Sequence, residues 1–427
     1  MSDPVKAQYA AYPYPARDPA DERKRLIVGS PSHILEINHY IFGGRRDFAS
    51  PFRALFAGGG TGDGTIMLAQ QLAEIGAPAE IVHLDPSAAA QGIAAARAKI
   101  RGLENIRFQP GSIEELESLS LGAFDYIDCC GVLHHLENPA AGLAILARAL
   151  APGGGLGLMV YGALGRTGVY QAQTMLRMLN DPGEPAAPRL DLARRLLKQL
   201  PPTNWLVRNP FVGDHLQGGE AGFYDLLLHE RDRAFTVPEL SALVASAGLS
   251  VVSLIEPARY MPETYLQDPV LLERVRRLAA IERAALAELI AGDQKVHVAY
   301  LVPSERAAEA KATIAPELIP VLREGDGATL ARGLKPGEPL KIVFGPATLS
   351  FPLPRRALPI LSQIDGRRSV GALRDAVAQA GLAISQSEFD RDFAGLYSVF
   401  NGINYLFLSE RAIQVSQSAS ARPSKRI

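Results

Sequence analysis

Five residues, Gly58-Gly59-Gly60-Thr61-Gly62, separate a short apolar run, Ala54-Leu55-Phe56-Ala57, from a segment where Ile66, Ala69, Gln70 and Ala73 recur at helical spacing. Glycines between a strand and a helix let the backbone turn tightly and approach a ligand closely, and the helix N-terminus behind them favours negative charge. Gly58, Gly60 and Gly62 are the candidate contacts of that loop. Asp85 ends a second apolar run, Ile81-Val82-His83-Leu84, 23 positions after Gly62, and Pro86 follows it. A carboxylate at a strand end is placed to accept hydrogen bonds from both hydroxyls of a ribose. Gly111-Ser112-Ile113 follows a third run, Ile106-Arg107-Phe108. There Ser112 can bond the amine of a base while Ile113 packs on its ring. Ser112 and Glu115 also have capping-box spacing, so a plain helix cap is an equal reading.

Groups able to move a proton stand further along. His134 and His135 follow a strand-like run, Phe124 to Cys130, and Tyr161 ends another, Leu156 to Tyr161. A histidine there can take a proton near neutral pH, or the pair can pack and cap the next turn. Tyr161 is either a pocket residue or core. His229 and Tyr170 lie in an irregular stretch beyond that strand and are candidates for an acceptor site; Trp205, Asp214-His215, Tyr224-Asp225 and Glu230 there read as packing and solvated surface. The N-terminal strip carries Tyr9, Tyr12 and Tyr14 among Pro13 and Pro15, which is either a lid over a ligand or a surface strap. The only cysteines, Cys129 and Cys130, are adjacent. They make a poor disulfide staple and a poor zinc site, so no metal is expected and a reducing cytoplasm is the simplest setting.

These residues need a scaffold. Strands and helices alternate at short spacing from residue 54 to 161, which implies an α/β fold with a doubly wound parallel sheet. Residues 1–50 read as an arm with a helix from Ser32 to Phe42. Residues 165–232 read as an insertion of two helical stretches around a Pro-rich loop, Asp181 to Pro188. The alternation resumes at Thr236, which opens a helix with Glu239. A strand from Leu249 to Ile255, one long helix from Pro269 to Ile290 and a last strand from Val296 to Val302 complete a domain over 51–303. Residues 304–339, rich in Ala, Glu, Gly and Pro, read as a linker with a short helix. A small α+β unit over 340–412 follows, and a polar tail over 413–427.

Composition bounds the rest. The 427 residues exceed one ordinary domain of roughly 150. Hydrophobic residues at 47% and charged ones at 21% suit a soluble globular chain. With 44 Lys+Arg against 45 Asp+Glu, no basic excess points to nucleic acid. No apolar run approaches the roughly 18 residues of a membrane span, and the N-terminus has no signal-peptide core.

Leu55 to Gly62, His83-Leu84-Asp85-Pro86, Phe124-Asp125-Tyr126-Ile127, Gly131-Val132-Leu133-His134-His135-Leu136 and Leu150-Ala151-Pro152-Gly153-Gly154 together resemble the ordered motif series of class I S-adenosylmethionine-dependent methyltransferases. The resemblance implies a seven-stranded sheet with one reversed strand, cofactor at the strand C-termini, and methyl transfer. It implies S-adenosylmethionine contacts at Gly58, Gly60, Gly62, Asp85, Pro86, Ser112, Ile113 and Cys130, with Tyr14 of the arm closing over them. His135, Tyr161 and His229 are then the catalytic candidates. The family often has an acid two places before the first loop glycine, where Phe56 stands here, and Asp63 is a possible substitute. A nicotinamide enzyme is the competing class, but the loop lacks the G-x-G-x-x-G spacing that clears room for a pyrophosphate.

Leu340 to Leu408, through the phrase Ile360 to Ser369, is similar to small winged-helix modules that bind peptides. That implies a peptide or protein side chain as methyl acceptor. The alternatives are a small metabolite with a structural or dimer-forming C-terminal unit, and a catalytically silent scaffold. Intact Gly58, Gly60, Gly62 and Asp85 argue against the last.

Overall fold

A computed structural model describes residues 15–181, 183–344 and 347–415. Tyr9, Tyr12 and Tyr14 of the arm, the Gly345-Pro346 turn and the tail from Ser416 lie outside them.

The first regular helix, α1 (Ile34–Ile41), is buried at every position. Apolar residues surround it, so it has no solvent face to offer. The alternation then runs β1 (Phe52–Ala57), α2 (Asp63–Glu74), β2 (Ala79–Asp85), α3 (Ala88–Arg101), β3 (Ile106–Pro110), β4 (Phe124–Cys130), α4 (Pro139–Arg148) and β5 (Leu150–Tyr161). After β5 come α5 (Val169–Leu179), α6 (Ala186–Leu197), α7 (Trp205–Arg208), α8 (Asp214–Gln217) and α9 (Gly219–Leu227). Among the described residues the insertion therefore has five helices rather than two, with its own apolar core around Val169, Leu176, Leu190 and Phe223. Then follow α10 (Val237–Ser246), β6 (Leu249–Leu254), α11 (Pro269–Val275), α12 (Ala280–Ala291) and β7 (Val296–Pro303).

The sheet order is β3-β2-β1-β4-β5-β7-β6, and β7 is antiparallel to both its neighbours. This is the doubly wound, mostly parallel seven-stranded sheet that the motif series implies. The single long helix expected from Pro269 to Ile290 is two. Ala279 leaves the helical region with an extended backbone, and Glu282 folds back to accept its N–H at 2.8 Å, so a new helix starts there. The strand after the Pro152–Gly155 turn begins earlier than expected, at Leu150, with a register break against β4 between Phe124 and Tyr126. Gly155 and Gly157 let α1 lie on the sheet: a Cβ on Gly155 would stand 2.6 Å from Ile41, and one on Gly157 2.1 Å from the Tyr126 hydroxyl.

The C-terminal part is α13 (Ala307–Ala310), β8 (Ile319–Leu322), α14 (Gly327–Gly333), the hairpin β9 (Leu340–Phe344) and β10 (Ala347–Phe351), then α15 (Ala357–Leu361), α16 (Val370–Gln379), α17 (Gln386–Gly402) and β11 (Leu406–Ser409). A small α+β organisation is as expected, but residues 304–339 are no linker. Their strand β8 pairs antiparallel with β11, which starts at Leu406 because Ile403 still caps α17. The unit is not self-contained either. One continuous apolar cluster joins Tyr40 and Ile41 of α1, Phe52, Phe56 and Tyr126 of the sheet, and Val321 and Phe407 of the C-terminal ribbon. Helix α1 is the shared element. Its Asn38 donates to Ser409 Oγ at 2.9 Å, and Nδ1 of His39 accepts the Leu408 N–H at 3.0 Å. Among the described residues no helix is long and apolar enough to cross a membrane.

Candidate functional site

The parallel strands deliver their C-terminal ends to one edge of the molecule, and the loop after β1 lies there. Gly58, Gly60 and Gly62 all have positive φ, at +80°, +54° and +96°. A Cβ on Gly58 would stand 2.5 Å from Val132, and one on Gly62 2.9 Å from Ala94. The loop therefore needs glycine both for its backbone and for its closeness to the segment after β4 and to α3. Asp85 at the tip of β2 accepts the Gly60 N–H through Oδ2 and the Ser87 N–H through Oδ1, both at 2.8 Å. Burial raises its pKa, and those two N–H groups oppose the rise. The acid thus ties the loop to the tip of β2. Beneath the loop His83 is buried, with Nδ1 2.9 Å from the Thr65 hydroxyl and, among the described residues, no side-chain partner for Nε2. Burial lowers its pKa to about 4.

The arm crosses this loop. The Thr61 hydroxyl donates to the Pro15 carbonyl at 2.9 Å, and Arg17 pairs with Asp63 at 2.6 Å. Asp63 also pairs with Arg97 at 2.7 Å, and Arg97, almost fully buried, holds Glu22 at 2.6 Å. Burial alone would raise the Asp63 pKa, but Arg17 and Arg97 more than offset it and hold it low. Two arginines thus claim Asp63, which corrects its expected role as substitute for the missing acid at 56. Ser112 has its amide capped by Glu115 at 2.8 Å, and Ile113 is buried in the core of the sheet's far face. Cys130 is exposed at the tip of β4.

A second group gathers beside β4 and β5. His134 lies 4.0 Å, ring to ring, from Tyr161 and 4.1 Å from His135. His135 stacks on His229 at 3.9 Å. The Tyr161 hydroxyl donates to Asp225 at 3.2 Å, and the Arg166 guanidinium lies 3.6 Å over the Tyr161 ring while pairing with Asp232. Tyr170 donates to Asp232 as well, at 3.5 Å. His134, His135, Tyr161, Tyr170 and His229, distant in sequence, thus form one cluster. Arg166, Asp225 and Asp232 join it without having been singled out for chemistry. Among these, Asp232 and Arg166 gave no pattern to read, because their meaning lies in contacts across the insertion.

Backbone bonds set the proton positions. His135 Nδ1 is 2.8 Å from the Arg231 carbonyl, which can only accept, so Nδ1 carries the proton and the lone pair is on Nε2. His229 Nδ1 accepts the Arg231 N–H at 3.0 Å, so its proton is on Nε2. Burial lowers the pKa of His135, with Asp232 and Asp225 opposing. Burial, His135 and Arg166 lower that of His229 to about 2. Both rings are neutral near pH 7. His135, Asp225 and His229 each bring a ligand-type atom within 4.8 Å of the others, as do His134, His135 and Asp232. The donor chemistry fits a metal poorly. Neutral His229 presents an N–H at Nε2, and Arg166, Gln173 and Tyr170 share Asp232.

Residues 55–156 match the family model described as a methyltransferase domain. An uncharacterized protein of Synechococcus sp. is 32% identical over 296 residues, covering 68% of this chain and 69% of its own length. The chain belongs to the class I S-adenosylmethionine-dependent methyltransferases. Ubiquinone biosynthesis O-methyltransferases of Xanthomonas oryzae pv. oryzae are 31% identical to this methyltransferase over 98 residues, which span 38% of their length and 22% of this chain. In structure, PKMT2 from Rickettsia typhi in complex with AdoHcy matches with a TM-score of 0.58 at 13% identity, over 96% of this chain and 77% of that one. That likeness concerns the fold, and it extends through the C-terminal unit. The cofactor of the family is S-adenosylmethionine, and the residues fit it: a loop of left-handed glycines at the strand ends, and a carboxylate at the tip of β2.

Proposed function

We propose that this methyltransferase acts on a peptide or protein side chain that arrives carrying a proton, and that His135 takes the proton. The tautomer of His135 carries the reading. The Arg231 carbonyl fixes Nδ1–H, so Nε2 is the proton acceptor, three residues beyond the Val132 that packs on Gly58. Bound S-adenosylmethionine supplies an electrophilic methyl on a good leaving group, so the protein's work is alignment and exclusion of water. Gly58, Gly60, Gly62, Asp85 and Pro86 would hold the cofactor, with Ser112 and Ile113 toward its adenine and Cys130 at the tip of β4. His229 stacks against His135 and fixes its plane, and Tyr161, held by Asp225 and Arg166, walls the acceptor side.

The hairpin supports a peptide acceptor. β6 runs parallel to β5, so the turn Pro257–Tyr260 that follows it leaves the sheet at the cofactor end, and its Arg259 lies 5.4 Å over Phe344 of β9. Among the described residues neither hairpin strand has a third strand beside it, and an extended peptide can add to such an edge. A second reading, a small hydroxylated metabolite, draws on the match of the motif region to the ubiquinone O-methyltransferases.

The test is a screen with labelled cofactor against peptide and small-hydroxyl libraries, followed by His135→Ala. The variant should lose roughly 10²–10⁴-fold in turnover, the usual contribution of a general base, with cofactor affinity unchanged. Full turnover in the variant would remove His135 from the chemistry. Labelling confined to small molecules would establish the second reading.

A further inference from the structure

The family's acid before the glycine loop is absent, yet a carboxylate stands beside its place. In the sheet register Phe56 of β1 is paired with Asp128 of β4, so both side chains point to the same face. Helix α2 covers that face: a Cβ on Gly64, in its first turn, would stand 2.9 Å from Phe56 and 3.9 Å from Asp128 Oδ2. Asp128 therefore lies directly under the start of the helix that the glycine loop feeds. It is 6% exposed, accepts the Cys130 N–H at 3.1 Å through Oδ1, and accepts the Ser32 hydroxyl through Oδ2.

Ser32 is the unusual partner. Its φ is +87°, a left-handed conformation that strains a serine and persists only where the surroundings impose it. The impositions are explicit. Its N–H donates to the Tyr300 hydroxyl at 3.1 Å, and its own hydroxyl is 2.8 Å from that of Tyr126. Tyr300 in turn donates to Glu36 at 3.0 Å. Glu36 is fully buried on α1, accepts from Ser30 at 2.7 Å, and pairs with the guanidinium of Arg323. Arg323 belongs to the C-terminal unit, where its N–H is bonded to the Tyr405 carbonyl at 2.8 Å, and neighbouring Asn404 donates to Ser30 at 3.2 Å.

We propose that the C-terminal unit sets the cofactor affinity of the methyltransferase domain through the buried relay Arg323–Glu36–Tyr300–Ser32–Asp128, with Asp128 supplying the carboxylate toward the cofactor's ammonium that position 56 lacks. Arg323, Glu36 and Ser32 are positioning residues. Each acts through the next, and the strained serine aims the last group. The relay concerns the cofactor alone and stands apart from the acceptor chemistry assigned to His135.

The experiment is calorimetry of S-adenosylmethionine with the full chain, which needs no acceptor. Ser32→Gly keeps the left-handed turn and removes the hydroxymethyl group that bonds Asp128; it should weaken binding at least tenfold. Arg323→Met should do the same, and Arg323→Lys, which keeps the charge, should recover part of the loss. Arg356→Met is the control. It breaks a surface ion pair of the C-terminal unit with Glu388 and Asp392, outside the relay, and should leave cofactor affinity at the parent value. Parent-like affinity in Ser32→Gly or Arg323→Met would overturn the proposal. So would an equal loss in Arg356→Met, which would make the effect one of general loosening. If Arg323→Met fails to melt cooperatively, Ser32→Gly decides alone.

Discussion

Replacing Asp128 by asparagine should change how stability depends on pH, in a direction fixed by the buried site. Burial raises the Asp128 pKa from 3.8 to about 7, and the hydrogen bonds from Ser32 and the Cys130 N–H resist that rise without cancelling it. A carboxyl that holds its proton more tightly when folded contributes stability that is fully present below about pH 3.8. That contribution is lost as pH rises through about 7, because the unfolded chain releases the proton first. Three pH units at about 1.4 kcal/mol each give a loss of at most about 4 kcal/mol across that window. Asparagine has the same shape, can still accept the Cys130 N–H, and does not titrate. Urea unfolding of parent and Asp128→Asn without cofactor, from about pH 4 to about pH 8, isolates the group, since all other titrations are common to both. The stability of the parent relative to the variant should fall steadily toward pH 7 and then level off. Parallel curves would show that Asp128 is ionised in the folded protein at low pH, and the argument from its burial would fail.

Two further outcomes follow from the fold and the loop. Removing residues 319–427 uncovers α1 and divides the shared apolar cluster, so the remainder should lose its cooperative melt and bind apolar dyes; a sharp melt with intact cofactor binding would show that the methyltransferase domain holds its own core. Asp85→Ala leaves the Gly60 and Ser87 N–H groups without their acceptor, at about 1–3 kcal/mol each where buried, and removes the carboxylate proposed to anchor the ribose. Calorimetry should then show at least a tenfold weaker cofactor, and parent-like affinity would sever Asp85 from the site.

The methyltransferase domain was legible because its signals are local. Glycines at Gly58, Gly60 and Gly62 and an acid at Asp85 follow from the chain's own turn and strand chemistry, and apolar periodicity located β1 to β4 within a few residues and the C-terminal half of β5. What escaped depends on distance in sequence. Asp128 is an acid inside an apolar strand, a signal that was readable in Phe124 to Cys130, but its partner Ser32 lies 96 residues away. Asp63 invited a cofactor role by its place after the loop, and nothing nearby foretold that Arg17 and Arg97 would claim it. The stretch 304–339 read as a linker because β8 is only four residues, Ile319 to Leu322, and its pairing partner comes more than 80 residues later. Composition marks flexible connectors well, but it misses a short strand whose reason to exist is elsewhere in the chain.

Helix α1 also has a consequence for synthesis. It leaves the ribosome long before its partner, because its Asn38 bonds Ser409, 371 residues later. At the usual elongation rates of about 5–20 residues per second, it waits roughly 20–75 s for that partner. During that interval the sheet can assemble from β1 to β7, but one face of α1 stays bare and sticky. Closing so distant a contact is slow and exposes the nascent chain to aggregation. The apolar face of α1 is thus sealed only once β11 has been made. A chain that stalls or is cleaved before β11 keeps an unsealed apolar surface, the kind of mark by which chaperones and proteases sort unfinished proteins from finished ones.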